Sequence, residues 1–402
     1  MTNSAKAFLD QDVVIVSAKR TPMGAFQGSL SALKAPQLGG IAIEGALKAA
    51  SLLGSDIDEV IMGCVLPAGL GQAPARQAAI HAGIKPSASC LTVNKVCGSG
   101  MKAIMLASDQ IRLNNANIMV AGGMESMTNA PYLLDRARSG YRFGHGKIID
   151  HLVLDGLEDA YYPGRAMGTF AEDTAAHFHV TRQDQDAYAT ESLRRVQSAV
   201  KEKFFDKEIT PVEISEGRNQ ISLHQDETPL KVKVEKIPLL KPAFRPDGTV
   251  TAANSSSLAD GAAAVVLMTA KEARQRGLTP MAVIRGHSSH AQEPEWYTTA
   301  PIGAIEKLLQ NLQWSVNDVD LFEINEAFAV VAMVALQKLN IPREKMNVWG
   351  GATTLGHPLG ASGARILVTL LHALEQQGLS KGIAAVCIGG GEATAIAVER
   401  IA

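Results

Sequence analysis

An internal repeat is the feature that most restricts how this chain can fold. Segments of the same type recur in the same order about 260 to 267 residues apart along the sequence. In one pair, the turns Cys97-Gly98-Ser99-Gly100 and Gly360-Ala361-Ser362-Gly363 each open a helical pattern. In another pair, strand patterns at 117–121 and 383–387 each run into glycines and a glutamate. This agreement predicts two copies of one α/β unit, each a mostly parallel sheet with helices.

The segment between the two copies has a different composition. It contains seven prolines, several charged stretches and one clear helical pattern at 182–204. Long connections of this kind often carry binding surfaces. We therefore expect an inserted loop domain at 126–247, and the apolar run that follows it completes the first unit. The N-terminal half would then comprise 1–125 and 248–276, and the C-terminal half 277–402.

Composition and charge exclude several classes of protein. An apolar share of 46% and a net charge of −2 indicate an ordinary globular chain with no bias towards nucleic acid. No apolar run reaches the ~18 residues that a membrane span needs, and residues 1–12 lack the pattern of a secretory signal. The four cysteines show neither zinc spacing nor a disulfide framework. We expect a cytoplasmic protein with free thiols and no metal site.

Cys97 is the first candidate for chemistry. It lies where a strand-type run from Leu91 to Val93 turns into a helical pattern. Free backbone N–H groups and the helix dipole at such a position favour thiolate, which is the nucleophilic form. Gly98 and Gly100 would let an acyl group approach the backbone closely. The alternative is a small buried hydrophobe, which is the usual role of a free cysteine.

Three further residues follow predicted strands, where open α/β sheets place their ligands. Asn325 follows the strand at 319–324, although it could simply cap the next helix. His357 precedes a proline in a glycine-dense loop and so cannot lie in mid-helix. Cys387 ends a strand before three glycines, although it could be an ordinary strand residue. A nucleophilic thiolate, a histidine that takes its proton and a second thiol as base suit carbon–carbon bond chemistry on a thioester.

The chain resembles the thiolase family, and more closely its acetyl-CoA acetyltransferase (acetoacetyl-CoA thiolase) branch. The resemblance covers nearly the full length. It implies two similar α/β halves, each with a mostly parallel five-stranded sheet, and a loop domain inserted into the first half. The matching runs, in family order, are Arg20 to Gly24, Pro74 to Ala79, Val93 to Gly100, Ala121 to Met127, Asn325 to Ala329, Gly356 to Gly363 and Cys387 to Gly391.

The resemblance also implies a role for each candidate. Cys97 would be acylated by an acyl-CoA, and His357 would activate it and help to hold a thioester oxyanion. Asn325 would position a water in that oxyanion hole, and Cys387 would move the α-proton. The backbone N–H groups of Cys97 and Gly389 would form a second oxyanion hole.

On the substrate side, the resemblance implies contacts that involve five more residues. Ser256 would contact pantetheine, Met167 would line the acyl pocket, and Leu157, Ala327 and Tyr297 would lie against the substrate. Coenzyme A would be a substrate, so no separate cofactor is expected. The family also implies a homo-oligomer, here a tetramer built as a dimer of dimers, with a role in lipid metabolism.

The chain departs from the family pattern on the substrate side. Tyr297 stands where a pocket methionine is usual, and Ala166 stands in place of a common histidine. The usual nucleotide-contacting arginine has no clear counterpart, so Lys231 and Lys233 are the candidates. The replacement by a rigid ring predicts a preference for short acyl chains.

Three rival functions are open to a chain with this pattern. The nearest is a broader-chain 3-ketoacyl-CoA thiolase of fatty-acid breakdown. A ketoacyl synthase of the same fold would use two histidines rather than Asn325 and Cys387, which the sequence argues against. A silent acyl-CoA-binding homologue is disfavoured because all four chemical positions are present.

Overall fold

The computed structural model describes residues 8–217 and 219–400. Residues 1–12 were expected to hold no secretory signal, and residues 1–7 of that stretch lie outside the described residues. The strands are β1 (Val13–Arg20), β2 (Gly24–Ala25), β3 (Glu59–Gly63), β4 (Ser89–Val93), β5 (Ile118–Ser126), β6 (Tyr132–Leu134), β7 (Ile148–Asp150), β8 (Val212–Glu216), β9 (Asn219–Leu223), β10 (Ala259–Thr269), β11 (Ala282–Ala291), β12 (Leu321–Ile324), β13 (Lys381–Ile388) and β14 (Glu392–Glu399).

Helices account for most of the remaining regular structure. Several begin at or near a proline, which is favoured in the first helical turn because its missing N–H is not needed there. The α-helices are α1 (Ala35–Ala49), α2 (Pro74–His81), α3 (Ser99–Arg112), α4 (Met167–His177), α5 (Arg182–Lys201), α6 (Ala270–Gln275), α7 (Ala300–Leu312), α8 (Ala329–Leu339), α9 (Ala352–Leu355) and α10 (Leu359–Gln376). Within the described ranges, no helix is long and apolar enough to cross a membrane.

The large sheet displays the repeat directly. Its strand order is β12-β13-β14-β11-β1-β10-β5-β3-β4, with β2 paired to β10. Read outward from the junction of β1 and β11, the first half runs β1-β10-β5-β3-β4 and the second runs β11-β14-β13-β12. The expected α/β class with two repeated halves is confirmed.

We expected each half to hold five mostly parallel strands, and the observed number and direction of the strands differ from this in detail. Strands β3, β4 and β5 pair in parallel, as do β12 and β13, but β10 and β14 pair antiparallel to their neighbours. Strand β14 follows β13 through a short turn, and a short turn can only join antiparallel strands. The counterpart of β4 in the second half shrinks to one parallel bridge between Phe322 and Met346.

Helices cover both faces of this sheet. Buried side chains of α3 and α10, such as Ile104 and Leu367, share one core cluster with strands of both halves. Helices α1 and α2 cover the opposite face of the first half, where Leu38 and Ala78 are buried. Helices α7 and α8 cover the second half in the same way. Strands β5, β10 and β13 are therefore buried on both faces, which explains their continuous apolar runs, whereas the edge strand β4 is only partly covered.

The two small-residue turns allow α3 and α10 to approach each other closely. A Cβ atom on Gly100 would lie 2.8 Å from the carbonyl oxygen of Gly360. A Cβ atom on Gly363 would lie 2.6 Å from the backbone nitrogen of Met101. Side chains would hold these helix starts apart. The glycines that mark the repeat therefore bring the beginnings of both central helices together.

The segment between β5 and β10 holds short strands, helices and long connections. Strands β6 and β7 form one hairpin, and β8 and β9 form another. Its long helix, α5, contacts α8 and α9 of the second half. The apolar run after it forms β10, which pairs with both β1 and β5 and so belongs to the first half. We propose 126–247 as the bounds of the inserted domain.

Candidate active site

One cavity of about 790 Å³ gathers residues from both halves and from the inserted segment. It is lined mainly by apolar side chains and backbone, which is typical of a site for a small molecule. Asn325 does not line it but lies directly behind His357. The expected site residues that line the cavity are Cys97, His357, Cys387, Gly389, Ser256, Met167, Leu157, Ala327 and Tyr297.

The turn that carries Cys97 has an unusual backbone. Val96 adopts a φ of 43°, a conformation that costs free energy for a β-branched residue. Ser99 supports the turn, because its hydroxyl accepts the Lys95 N–H at 2.8 Å and donates to the Val96 carbonyl at 2.6 Å. Helix α3 begins two residues after Cys97, with Gly98 as its N-cap. Cys97 therefore lies in the turn between β4 and α3, as predicted.

The protonation of Cys97 differs from the expectation of a lowered pKa. Burial raises the pKa of the Cys97 thiol to about 12, although backbone N–H groups of Gly389 and of Cys97 itself hydrogen-bond to the sulfur and act in the opposite direction. Desolvation outweighs the helix terminus because a thiolate loses most of its hydration in this apolar cavity. The resting group is therefore a neutral thiol that needs a base.

His357 is held in a fixed orientation by its neighbours. Gly356, before it, has a φ of 99°, which a residue with a side chain rarely adopts. His357 Nδ1 lies 2.5 Å from Ser362 Oγ, and that hydroxyl lies 2.9 Å from the Pro358 carbonyl oxygen. If Ser362 donates to this carbonyl, it must accept a hydrogen from His357 Nδ1. The arrangement favours the tautomer in which Nε2 carries no hydrogen.

The other ring nitrogen of His357 is available for chemistry. Nε2 is buried and has no hydrogen-bond partner within 8–217 and 219–400. Burial, followed by the charge of Arg365, lowers the pKa of His357 to about 3. At neutral pH the imidazole is therefore uncharged and can accept a proton.

Asn325 lies beside His357, next to a polar network around Glu326, and is not a helix cap. Helix α8 begins at Ala329 with Phe328 as its N-cap, so Asn325 lies outside it. Asn325 Nδ2 lies 3.5 Å from His357 Nδ1. The next residue, Glu326, is fully buried and accepts hydrogen bonds from hydroxyl, amide and backbone groups of Tyr188, Ser192, Asn347 and Thr353. These bonds anchor the 325–326 turn to α5 of the inserted segment.

Cys387 reaches the cavity from the second half. It is the last residue but one of β13, and residues 389–391 then turn the chain into β14. Gly390 and Gly391 have φ values of 92° and 86°, so this short turn requires glycine. Burial, followed by the charge of Cys97, raises the pKa of Cys387 well above its usual value.

The acyl side of the cavity is bounded by a rigid aromatic residue. The Tyr297 hydroxyl donates to the backbone carbonyl of Met167 at 3.0 Å, and its ring packs edge-on against Phe170 at 6.2 Å. Its side chain is only 3% exposed. A hydrogen-bonded and packed ring cannot swing aside as a methionine could. Tyr297 therefore fixes the width of the cavity beside Cys387.

Ser256 and Ala327 are tied together on another wall. The Ser256 N–H donates to the Ala327 carbonyl at 2.9 Å, and the neighbouring Ser255 and Phe328 form a β-bridge. Neither Lys231 nor Lys233 lines the cavity, and Lys231 is paired with Glu227 at 2.5 Å.

Glu125 and Ser362 support the site although sequence reasoning missed them as site residues. The Glu125 carboxylate accepts backbone N–H groups of Val65, Leu66 and Gly360 at 3.0, 3.1 and 2.8 Å. It thereby joins the end of β5 to the start of α10, close behind His357. Burial raises the pKa of Glu125 to about 7. The glycine–glycine–Met–Glu run in the repeat was the available signal for it.

Within the described residues, no group of three or more histidine, cysteine, aspartate or glutamate side chains could hold a metal ion.

The fold and the cavity define a class of α/β proteins in which two related halves each supply a cysteine to one site. Two family models match: Thiolase, N-terminal domain, over residues 13–271, and Thiolase, C-terminal domain, over 278–400. The chain belongs to the thiolase family.

Known proteins are similar over the full length. Acetyl-CoA acetyltransferase 2 of Arabidopsis thaliana is 49% identical over 404 residues, covering 100% of both chains. The crystal structure of the Bacillus anthracis acetyl-CoA acetyltransferase superposes with a TM-score of 0.94 at 40% identity, covering 97% of this chain and 99% of that one. A thiolase from Ascaris suum, in complex with coenzyme A, gives a TM-score of 0.92 at 43% identity, covering 97% and 100%.

Proposed function

We propose that this protein transfers acetyl groups between coenzyme A thioesters through Cys97, joining two acetyl-CoA into acetoacetyl-CoA and CoA or running the reverse thiolysis. The observation that carries the proposal is the cavity itself, where Cys97, His357 and Cys387 meet. The relatives named acetyl-CoA acetyltransferase support the same activity. Coenzyme A enters as a substrate and not as a bound cofactor.

In the first half-reaction, His357 Nε2 takes the proton of Cys97 as the sulfur attacks the thioester carbonyl. Both groups start uncharged, so proton transfer and attack occur together without a stable buried thiolate. The N–H groups of Cys97 and Gly389 are placed to stabilise the resulting oxyanion. The C–S bond to coenzyme A then breaks, and the departing thiolate takes up the proton. The acetyl group stays on Cys97.

In the second half-reaction, Cys387 removes an α-proton from the second acetyl-CoA. The enolate oxygen that forms is stabilised by a water that Asn325 positions, and the enolate carbon attacks the acetyl carbonyl on Cys97. The bond between that carbonyl carbon and the Cys97 sulfur then breaks, acetoacetyl-CoA leaves, and the Cys97 thiolate regains the proton that Cys387 removed. A negative charge on Cys97 would raise the pKa of Cys387. The acetylated sulfur cannot ionise, so that opposing charge cannot form while Cys387 acts as the base.

A thiolysis assay tests this activity directly. Acetoacetyl-CoA and CoA are mixed with the protein, and loss of the enolate absorbance is followed. We expect turnover by the native protein and none by Cys97→Ala. A protein that binds coenzyme A but shows no turnover would instead be a silent acyl-CoA-binding homologue.

Shortening Tyr297 should widen the range of acyl chains. The native protein should prefer short 3-ketoacyl-CoA, because the ring is packed against Phe170 and bonded to Met167. Tyr297→Ala should raise the kcat/KM ratio of six-carbon to four-carbon substrate ~10²-fold, since the two substrates differ by two methylenes and each one accommodated contributes a factor of about ten. Measurements over a series of chain lengths check this.

The matched control for this prediction is Tyr297→Phe, which keeps the ring and removes only the hydroxyl. It should retain the short-chain preference. A native kcat/KM that rises steadily towards long chains would favour the rival broad-chain 3-ketoacyl-CoA thiolase.

Assembly into a homo-oligomer, with a tetramer as the proposed form, is supported by two surfaces. Strand β4 is an edge strand beside Cys97, and its Leu91 is exposed. The β6–β7 hairpin exposes Tyr132, Leu134 and Ile148, and the loop between its strands exposes Phe143 completely. Unpaired edges and exposed apolar side chains of this kind are normally covered by a partner. A cytoplasmic location and a role in lipid metabolism complete the proposal.

A further inference from the structure

Helix α10 presents a polar face to the interior. Ser362, Arg365, Thr369 and His372 recur at steps of three and four residues, which places them on one side of the helix. All four are buried. Burial of polar and charged groups costs free energy unless partners compensate for lost hydration. Each of these residues should therefore have a hydrogen-bond or charge partner, or a functional reason to be buried.

Three of the four have clear partners. Ser362 contacts His357, and Thr369 donates to Glu208 at 3.1 Å. His372 lies 3.0 Å from the Ala18 carbonyl. Arg365 differs from them.

Arg365 is a buried cation with loose compensation. Its nearest carboxylate is Glu323 on β12, at 3.9 Å from Nη1 to Oε2, and both side chains are almost fully buried. Arg365 Nη1 and both Glu323 carboxylate oxygens lack hydrogen-bond partners among the described residues. By contrast, the buried Arg20 makes hydrogen bonds of 2.6 and 2.9 Å to Asp226. The Arg365 charge is thus incompletely neutralised and acts on other nearby groups.

The group it acts on is His357. Arg365 lies one helical turn beyond Ser362, which touches the imidazole, and Glu323 lies two residues before Asn325, which touches it from the strand side. A positive charge one helical turn beyond the residue that holds the imidazole opposes formation of an imidazolium ion. Arg365 is the second cause, after burial, of the lowered pKa of His357.

The other titratable groups around this pair come from several elements. Cys97 and Cys387 face His357 across the cavity, and Glu125 of β5 binds the N–H of Gly360 near the start of its helix. Beyond Glu323, the charged groups that act on Arg365 are Arg20, Glu208 and Glu326.

We propose that Arg365 is a positioning residue for the proposed thiolase reaction: held loosely by Glu323 behind the cavity, it keeps His357 uncharged with Nε2 free to take the Cys97 proton. Arg365 does not touch substrate. It acts through His357. Glu323 is its nearest carboxyl group, and because burial raises the pKa of Glu323 to about 8, this carboxyl compensates the Arg365 charge only in part at neutral pH.

The test is the acid limb of the pH profile of kcat/KM for thiolysis, which reports the free enzyme's essential base. Loss of activity as pH falls marks protonation of His357. The profile is measured down to about pH 4, where the native enzyme should still show no such limb because the pKa of His357 is about 3. Arg365→Met should move the limb upward by ~1 pH unit or more, so that it enters the measured range. Arg365→Gln should do the same if the methionine variant does not fold, and Arg365→Lys should restore the native profile.

Glu323→Gln is the matched control, since it breaks the same buried pair but leaves the Arg365 charge in place. It should lose stability yet show no upward shift of the limb. An unshifted limb in both neutral Arg365 variants would overturn the inference, and so would an equal upward shift in Glu323→Gln, which would indicate structural damage. Absence of thiolysis by the native enzyme would instead overturn the proposed function.

Discussion

Replacing Cys387 by alanine should separate acetyl transfer from carbon–carbon bond formation. Cys387→Ala should still accept one acetyl group from acetyl-CoA on Cys97, because Cys97, His357 and Gly389 are untouched. It should fail to exchange the α-protons of acetyl-CoA, because no other thiol faces that side of the cavity within the described residues. Loss of a general base should lower the condensation rate ~10²–10⁴-fold.

Two measurements check this result. Intact mass after incubation with acetyl-CoA should show one acetyl adduct on Cys387→Ala and none on Cys97→Ala. Proton exchange in deuterated water should occur with the native enzyme and stop in Cys387→Ala. Cys90→Ala removes a cysteine that does not line the cavity and should behave like the native enzyme. Near-native condensation by Cys387→Ala, or an acetyl group on Cys387 of the native enzyme, would mean that these roles are wrongly assigned.

Replacing His357 by alanine should suppress both half-reactions. At pH 7, five units below a pKa of about 12, spontaneous ionisation leaves almost no Cys97 as thiolate. Acylation of Cys97 should therefore slow ~10²–10⁴-fold, as expected when a general base is lost. Condensation should fall as well, because it consumes the acetyl group that acylation places on Cys97.

Alkylation by iodoacetamide reports the thiolate of Cys97 across pH. In His357→Ala, the alkylation rate should rise about tenfold per pH unit, since only ionisation by solvent can supply thiolate. His372→Gln replaces a buried histidine on α10, the helix that follows His357, and should leave the native alkylation profile intact. Identical profiles for His357→Ala and the native enzyme would show that the backbone N–H groups alone activate the thiol.

The positions of the strands and helices could be predicted from the sequence, because the repeat is visible in the spacing of apolar residues and glycines. Strands β1, β3, β5, β12 and β13, and the central helices, lie where the apolar periodicity indicated. Sequence patterns could not assign strand directions, because pairing direction depends on how connections return. They also could not decide between cap and site residue for Asn325, since both alternatives fit a polar residue after a strand.

Sequence patterns alone indicated the two α/β halves, an insertion between them and the candidates Cys97, His357 and Cys387, because glycine turns, apolar periods and strand ends depend on neighbouring residues. The other expected cavity residues followed from the family resemblance. Only the tertiary structure decided their electrostatics. Cys97 was expected to have a lowered pKa from its helix start, but burial by residues remote in sequence raises that pKa. The neutral His357 likewise depends on Ser362, on Arg365 and on desolvation. Desolvation and charge act through space, so they exist only once distant segments have packed together.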